Sequence, residues 1–353
     1  MTSSEKRSVT LKDVAAAAGI TAAAASMALS GRSRISAETV ERVKAIAAEL
    51  GYVPSSAGRS LRSQKAGAIA LIVPNSARHV FGHSYFMHVL NGVTEAANDH
   101  DTSLLVSTSS TRTNGIAAYE RVMRSGRVDG AIVTSAAIGD PNIQRLTQTG
   151  LPVVLIGNDP TLTDCPSVWI DDVEASRQIT EHLITTHQRR RIVHVAGPLD
   201  HQTGVDRRDG FLRAVRANGL DDTAIVMEGN LSEASGYEAV ASLLKAKQLP
   251  DGIVFANDDM AFGGLSALRE AGVSVPEDVA VVGFDDFGQA RWSWPGITTM
   301  RVPAEQVARI ATDEIFARIS GAEGVEDHVQ LEANLIPRES CGCTRQPEPL
   351  PSD

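Results

Sequence analysis

Beyond residue 66 the chain alternates short apolar runs with amphipathic stretches, and this alternation constrains the fold more than any other feature. Strands separated by helices form parallel sheets that are covered on both faces. We therefore expect two doubly wound α/β lobes, the first ending near Ile156 and the second near Asp285, with the chain then returning to the first lobe. The apolar runs that we interpret as strands occupy residues 68–73, 103–107, 130–134, 153–156, 191–196, 224–228, 252–256 and 279–283.

The N-terminal part has the pattern of three short helices. Apolar residues recur at helical spacing over 11–18, and Gly19 ends this stretch. Thr21 can cap a second helix running to about Leu29, and Ser36 can cap a third. Two short helices joined by a turn and followed by a third are typical of a helix-turn-helix, although periodicity alone fits any three-helix bundle equally well.

The charge distribution separates the same two parts. The net charge is −10, but residues 1–65 carry ten Lys and Arg against five Asp and Glu, whereas the remainder carries 23 against 38. A basic head on an acidic body suits a DNA-binding module attached to a sensor domain. The sequence contains neither a long apolar run nor a secretion-signal pattern, so we expect a cytoplasmic protein.

The cysteines give no sign of a metal site. Cys165, Cys341 and Cys343 are odd in number, and two of them lie within the last thirteen residues. This spacing indicates neither a disulfide framework nor a four-ligand zinc site. We expect three unpaired thiols, no metal ion and no cofactor.

Several runs of residues resemble a known family. VTLKDVAAAAGIT (9–21), ISAETVERVK (35–44), ELGYVPS (49–55) and AGRSLR (57–62) are similar, in order and without a gap, to the headpiece of the lactose-repressor (LacI/GalR) family. The resemblance implies a DNA-binding transcriptional regulator, a repressor, whose operator affinity a small polar effector controls. It implies four parts: an all-α helix-turn-helix headpiece (1–55), a hinge helix and linker (56–65), a two-lobed periplasmic-binding-protein-like core for effector binding and dimerisation (66–340), and a tail (341–353).

By this resemblance the second helix enters the major groove, and the hinge inserts a leucine into the minor groove. Ala22 and Ala23 stand where polar or charged side chains would be usual, so base readout would depend on thymine methyl groups, on nearby serines or on arms outside the helix. A plain exposed linker is the alternative interpretation of the hinge. The residues implied for DNA binding are Thr10, Thr21, Ala22, Ala23, Ser26, Met27, Ser30, Arg59 and Leu61.

Three further runs resemble the effector-site signatures of the family: DRRDGF (206–211), FANDDMA (255–261) and VGFDD (282–286). Ligands of open parallel sheets bind beyond the carboxyl ends of strands, where these runs lie. Val302 and Gly157 replace polar contacts that are common in the family. Asp258 can cap a helix, and Trp294 is an alternative to Trp292 as a stacking residue. The residues implied for effector binding are Tyr85, Phe86, Asn158, Arg207, Asn257, Asp285 and Trp292.

Convergent arginine, amide and carboxylate groups suit a polyhydroxylated ligand such as a sugar, and a purine or another polar metabolite would also fit. An enzyme is disfavoured, because the sequence lacks the Gly-x-Gly-x-x-Gly, P-loop, His-Glu-x-x-His and Gly-x-Ser-x-Gly motifs. A transport-type binding protein would have no use for a basic helix-turn-helix. We expect a homodimer on a near-palindromic double-stranded operator, with no membrane partner.

The hinge assignment predicts the effect of Leu61→Ala. This change should weaken binding to the operator far more than binding to unrelated DNA, because only the kinked specific complex uses the leucine wedge. Gel shifts and bending assays measure both properties. Lysine or arginine substitutions in the headpiece should lower both affinities alike. An unchanged operator affinity and bend angle in Leu61→Ala would show that Leu61 is not the wedge.

Overall fold

The computed structural model describes residues 9–29, 35–52, 66–110, 115–322, 324 and 326–344. The chain divides into two compact units, one ending at Gly67 and the other beginning at Ala68. None of the described helices is both long enough and apolar enough to cross a bilayer.

The first unit contains the three helices that the sequence predicts: α1 (Leu11–Ala17), α2 (Ala22–Leu29) and α3 (Ala37–Glu49). Small apolar side chains from all three form its core, and Val14, Ala25 and Val43 are fully buried. Both predicted caps are confirmed. Thr21 Oγ1 accepts a hydrogen bond from the Ala24 backbone at 3.1 Å, and Ser36 Oγ accepts one from Thr39 at 3.4 Å.

The second unit alternates strands and helices. Its strands are β1 (Ala68–Ser76), β2 (Ser103–Ser109), β3 (Gly130–Thr134), β4 (Val153–Ile156), β5 (Ser167–Ile170), β6 (Ile192–Ala196), β7 (Ile225–Glu228), β8 (Gly252–Phe255), β9 (Ala280–Val282), β10 (Thr299–Arg301), β11 (His328–Leu331) and β12 (Asn334–Ile336). Its α-helices are α4 (Ala77–Gly82), α5 (Ser84–Asp99), α6 (Ile116–Ser125), α7 (Pro141–Thr147), α8 (Asp172–Glu181), α9 (Gln202–Ala217), α10 (Glu233–Ala246), α11 (Asp258–Glu270), α12 (Gln289–Trp292) and α13 (Ala304–Ser320).

Ten of these strands form two parallel sheets, as the sequence predicts, and β10 pairs with β12 in a separate antiparallel sheet of two strands. The first lobe has the order β11-β5-β4-β3-β1-β2, and the second has β7-β6-β8-β9. All eight predicted strands are present, but β5, β10, β11 and β12 were not predicted. Because β5 pairs with β4 and with β11, the first lobe continues to Ile170 and does not end near Ile156.

The chain passes between the lobes three times: after β5, between β10 and α13, and between β11 and β12. The crossings lie side by side, because β10 pairs antiparallel with β12 and the Asp171 backbone donates a hydrogen bond to Leu331. The sequence predicts the return to the first lobe but not the last crossing. That crossing brings Cys341, fully buried, into the second lobe, so the folded core extends beyond residue 340 into the segment interpreted as a tail.

Two glycines set the distance between α10 and α11 in the second lobe. A Cβ added at Gly236 would lie 2.0 Å from the carbonyl oxygen of Met260, and one at Gly263 would lie 1.9 Å from that of Glu233. Both contacts are with backbone atoms, which a side-chain rotation cannot relieve. The two helices therefore approach each other as closely as their backbones permit.

This contact predicts that Gly263→Ala lowers the free energy of unfolding by roughly 1–3 kcal/mol, because the helices must separate to admit the methyl group. Urea denaturation followed by circular dichroism measures the change. Gly82→Ala is the matched control, since an added Cβ there meets no atom within 4 Å. Equal effects of the two substitutions would contradict the close approach of α10 and α11.

Candidate functional site

A cavity of about 650 Å³ lies between the two lobes. Residues that follow β1, β3, β4 and β5 line it from the first lobe, and residues that follow β6, β8 and β9 line it from the second. This is the position expected for a ligand of parallel sheets, and the volume is within the range of small-molecule sites, about 300–1,000 Å³.

A buried ionic cluster forms part of the cavity wall. The Arg207 guanidinium, on α9, donates from Nε to Asp172 Oδ1 at 2.7 Å and from Nη1 to the Ala256 carbonyl at 2.5 Å. Arg207 Nη1 also lies 3.4 Å from Asp285 Oδ1. The guanidinium carbon stacks 3.7 Å above the centre of the Phe284 ring. Arg207 is therefore held on several sides, and its plane is fixed before any ligand arrives.

Burial controls the protonation of this cluster. It raises the pKa of Asp285 to about 7, although the Arg207 charge opposes the shift, and it also raises the pKa of Asp172. Burial alone would lower the pKa of Arg207, but the two carboxylates outweigh it and raise that pKa. Two carboxylates thus share one guanidinium in a poorly hydrated place, which favours a proton on one of them.

Aromatic rings cover other parts of the cavity. Tyr85 and Phe86 enter from α5 with ring centres 5.4 Å apart, and Phe287 lies 6.2 Å from Tyr85. Burial raises the pKa of Tyr85 to about 12, so its hydroxyl keeps its proton at neutral pH. Trp169, on β5, also lines the cavity. These rings offer flat apolar faces beside hydrogen-bonding groups.

Trp292, which the family resemblance assigns to effector binding, does not line the cavity. Trp292 lies on α12 with 65% of its surface exposed, Trp294 is 87% exposed, and neither lines the cavity. Trp169 and Asp172 were missed because β5 was missed. The signal was present in the run SVWIDD (167–172), a short apolar strand followed by two carboxylates.

Asn257 lines the cavity but already has a structural role. Its Oδ1 accepts a hydrogen bond from the Met260 backbone at 3.0 Å and so caps α11, while its Nδ2 donates to Leu231 at 2.9 Å. The suggestion that Asp258 caps this helix is therefore wrong. Asn158 lines the cavity after β4, and Val302 adds an apolar side chain to the cavity wall.

The headpiece presents few polar groups on α2. Thr21, Ala23 and Met27 are exposed, whereas Ala22 and Ser26 are half-buried. Exposed Thr10 donates from its hydroxyl to Asp13 at 2.7 Å, before α1 begins. The other residues implied for DNA binding, namely Ser30, Arg59 and Leu61, lie outside the described residues.

The side chains suited to a metal ion lie elsewhere. Among the described residues, His182, His187, Cys341 and Cys343 bring their nitrogen and sulfur atoms together. None of the four lines the cavity.

The raised pKa of Asp285 predicts a pH-dependent difference between wild type and Asp285→Asn. The folded protein keeps this proton up to about pH 7, whereas the unfolded chain loses it near its ordinary pKa of about 4. Protonated Asp285 therefore stabilises the folded wild type in acid, and this stabilisation is lost as the pH rises from about 4 to about 7. Asn cannot ionise and tolerates the backbone φ of 112° at this position. As the pH rises, the free energy of unfolding of the variant should therefore increase relative to that of the wild type, by up to about 1 kcal/mol per pH unit.

Urea denaturation of both proteins between about pH 5 and 8 checks this, because titratable groups far from Asp285 contribute equally to both proteins and cancel in the difference. A stability difference that is the same at every pH would contradict the shifted titration of Asp285.

Comparisons with known proteins agree with this architecture. Residues 10–55 match the family model "Bacterial regulatory proteins, lacI family", and residues 180–341 match "Periplasmic binding protein-like domain". The HTH-type transcriptional regulator CelR of Thermobifida fusca is 33% identical over 341 residues, which cover 95% of this chain and 99% of CelR.

Two solved structures are similar over nearly the whole chain. A CelR–cellobiose complex is 32% identical with a TM-score of 0.70, covering 94% of this chain and 99% of that one. The lac repressor dimer bound to operator and the anti-inducer ONPF is 24% identical with a TM-score of 0.85, covering 95% and 99%. Together with the headpiece and the two-lobed core, these matches show that the chain belongs to the LacI family of bacterial regulatory proteins, which are DNA-binding transcriptional regulators and not enzymes.

Proposed function

We propose that the protein is a cytoplasmic repressor that binds a near-palindromic operator as a homodimer. A carbohydrate bound in the interlobe cavity changes its affinity for the operator. The observation that carries this proposal is the composition of the cavity wall. It combines a fixed, buried ionic cluster with aromatic rings that line the cavity.

The ionic cluster suits hydroxyl groups. The hydrogen bonds of Arg207 to described residues use Nε and Nη1, which leaves Nη2 to donate to a ligand oxygen. Asp285 can accept from a hydroxyl while it is ionised. A sugar hydroxyl both donates and accepts, so adjacent hydroxyls can bind Arg207 and Asp285 together.

The aromatic side chains suit the apolar face of a sugar ring. The C–H groups on one side of a pyranose ring form an apolar face, and flat side chains such as Trp169 and Phe287 can pack against it. The solved complex of the relative CelR with cellobiose supports a carbohydrate as the class of ligand.

Ligand control requires that the effector distinguish two arrangements of the lobes. The lobes contact each other through a hydrogen bond from the Ile138 backbone to Asp200 at 2.9 Å and through His83 Nδ1, which lies 3.1 Å from Asp259 Oδ2. A ligand that touches both walls of the cavity binds this closed arrangement better than an open one. Its binding energy therefore shifts the population between the two.

Helix α2 is the proposed reading element in the major groove. Ala23 and Met27 are its exposed apolar side chains, and they can contact thymine methyl groups without hydrogen bonds. Two headpieces on one palindromic site would supply the affinity that a single small headpiece lacks. The solved structure of the lac repressor dimer bound to operator supports this assembly.

The proposal predicts that Trp169→Ala weakens effector binding by about 5- to 30-fold, because it removes an aromatic face worth roughly 1–2 kcal/mol. Calorimetric titration with a panel of mono- and disaccharides that includes cellobiose identifies the ligand and measures its affinity. Gel shifts with genomic fragments, with and without that sugar, test control of DNA binding.

Trp292→Ala is the matched control, because this tryptophan is exposed and lies outside the cavity. It should leave the affinity for the sugar unchanged. Equal losses in the two variants would place the ligand elsewhere. DNA binding that no sugar of the panel alters would contradict a carbohydrate effector.

A further inference from the structure

Two histidines and two cysteines from distant parts of the chain meet in the second lobe. His182 begins a π-helical turn (His182–Thr186) after α8, and His187 follows that turn. Cys341 and Cys343 lie after β12, around a short 3₁₀ turn (Glu339–Cys341). One possible ligand atom from each of the four lies within 4.8 Å of the other three.

We propose that these four side chains form a structural zinc site. His182 Nε2 lies 3.2 Å from His187 Nε2 and 3.5 Å from each of the two sulfur atoms, and Cys343 Sγ lies 3.4 Å from His187 Nε2. Ideal tetrahedral zinc, with bonds of about 2.0–2.1 Å to nitrogen and about 2.3 Å to sulfur, sets two nitrogens about 3.3–3.4 Å apart and nitrogen and sulfur about 3.5–3.6 Å apart. These four separations, with all ligand atoms within 4.8 Å of one another, suit one zinc ion bound by all four side chains.

The π turn brings the two histidines together. In an α-helix, residues five apart point about 140° away from each other around the axis, so His182 and His187 could not share an ion. The wider turn changes this direction, and the two ring centres lie 4.9 Å apart. Such turns are rare and frequently occur at functional sites.

The backbone between the two cysteines also has a conformation that favours glycine. Gly342 has a φ of 107°, which other residues rarely adopt, and a Cβ added there would lie 3.1 Å from His187 Nδ1. Glycine thus lets the Cys-Gly-Cys turn lie directly against the histidine ring. Both sulfur atoms can then face the two imidazoles.

The surroundings suit a bound thiolate. Cys341 is fully buried, and the hydroxyl of Thr298 lies 3.0 Å from its sulfur, where it can donate a hydrogen bond to a thiolate ligand. A tetrahedral set of two sulfurs and two nitrogens favours zinc over harder cations such as magnesium or calcium. Four protein ligands leave no open position, which indicates a structural and not a catalytic site.

The site would connect the far end of α8 to the segment that follows β12. Helix α8 begins at Asp172, which pairs with Arg207 in the cavity wall. Zinc would therefore fix one end of a helix whose other end belongs to the ionic cluster. It would also close a long loop of the chain, which constrains the unfolded state.

Metal analysis of the untagged full-length protein, purified from zinc-supplemented medium without chelator, tests the proposal. We expect about one zinc per chain in the wild type. Cys341→Ser combined with Cys343→Ser should abolish zinc binding. Cys165→Ala is the matched control, because this buried cysteine belongs to the first lobe, and it should retain the zinc.

A second measurement does not depend on folding of the variants. Zinc added to chelator-treated wild-type protein should raise its Tm by at least about 3 °C, because an ion that binds only the folded state stabilises it. Cobalt in place of zinc should show the visible absorption of tetrahedral, thiolate-bound cobalt. Folded wild type that binds no zinc at micromolar concentration, zinc retained in the double variant, or a Cys341–Cys343 disulfide in freshly purified protein would each overturn the proposal.

Discussion

The wall of the interlobe cavity depends on the placement of one buried guanidinium. Arg207 connects the start of α8, the end of β8 and the loop after β9, and it packs on Phe284. Removing Arg207 would leave the buried carboxyls of Asp172 and Asp285 without the cation they share, and breaking a buried ion pair in this way typically costs about 3–5 kcal/mol. The guanidinium that we propose as a ligand contact is therefore also needed for the integrity of the second lobe.

Much of the fold could be predicted because its signals are local. The alternation of apolar runs and helices predicts eight of the twelve strands among the described residues, and Thr21 and Ser36 indicate the starts of two headpiece helices. Strands β10 and β12 have three residues each, and β11 lies at the edge of its sheet. Such strands are too short for a period-two pattern, and long-range pairing stabilises them.

Part of the candidate site could likewise be predicted from the sequence, and part could not. The family resemblance placed Tyr85, Phe86, Asn158, Arg207, Asn257 and Asp285 at the cavity, where the structure also has them. It could not show that Arg207 and Asp285 contact each other, because they are 78 residues apart in the chain. Nor could spacing reveal the four clustered histidines and cysteines. His182 and His187 become neighbours only through a π turn, which has no reliable sequence signature.

The three side-by-side crossings between the lobes have a mechanical consequence. Three adjacent connections permit the lobes to bend toward each other about one axis, but they resist twisting and sliding. The ionic cluster lies close to that axis, since the Asp285 backbone donates a hydrogen bond to Met300 on β10, and Asp171 precedes the helix that carries Asp172. A displacement at the cluster is therefore magnified at the outer ends of the lobes in proportion to their distance from the axis. Small changes of contact in the cavity wall can thus produce large movements far from it.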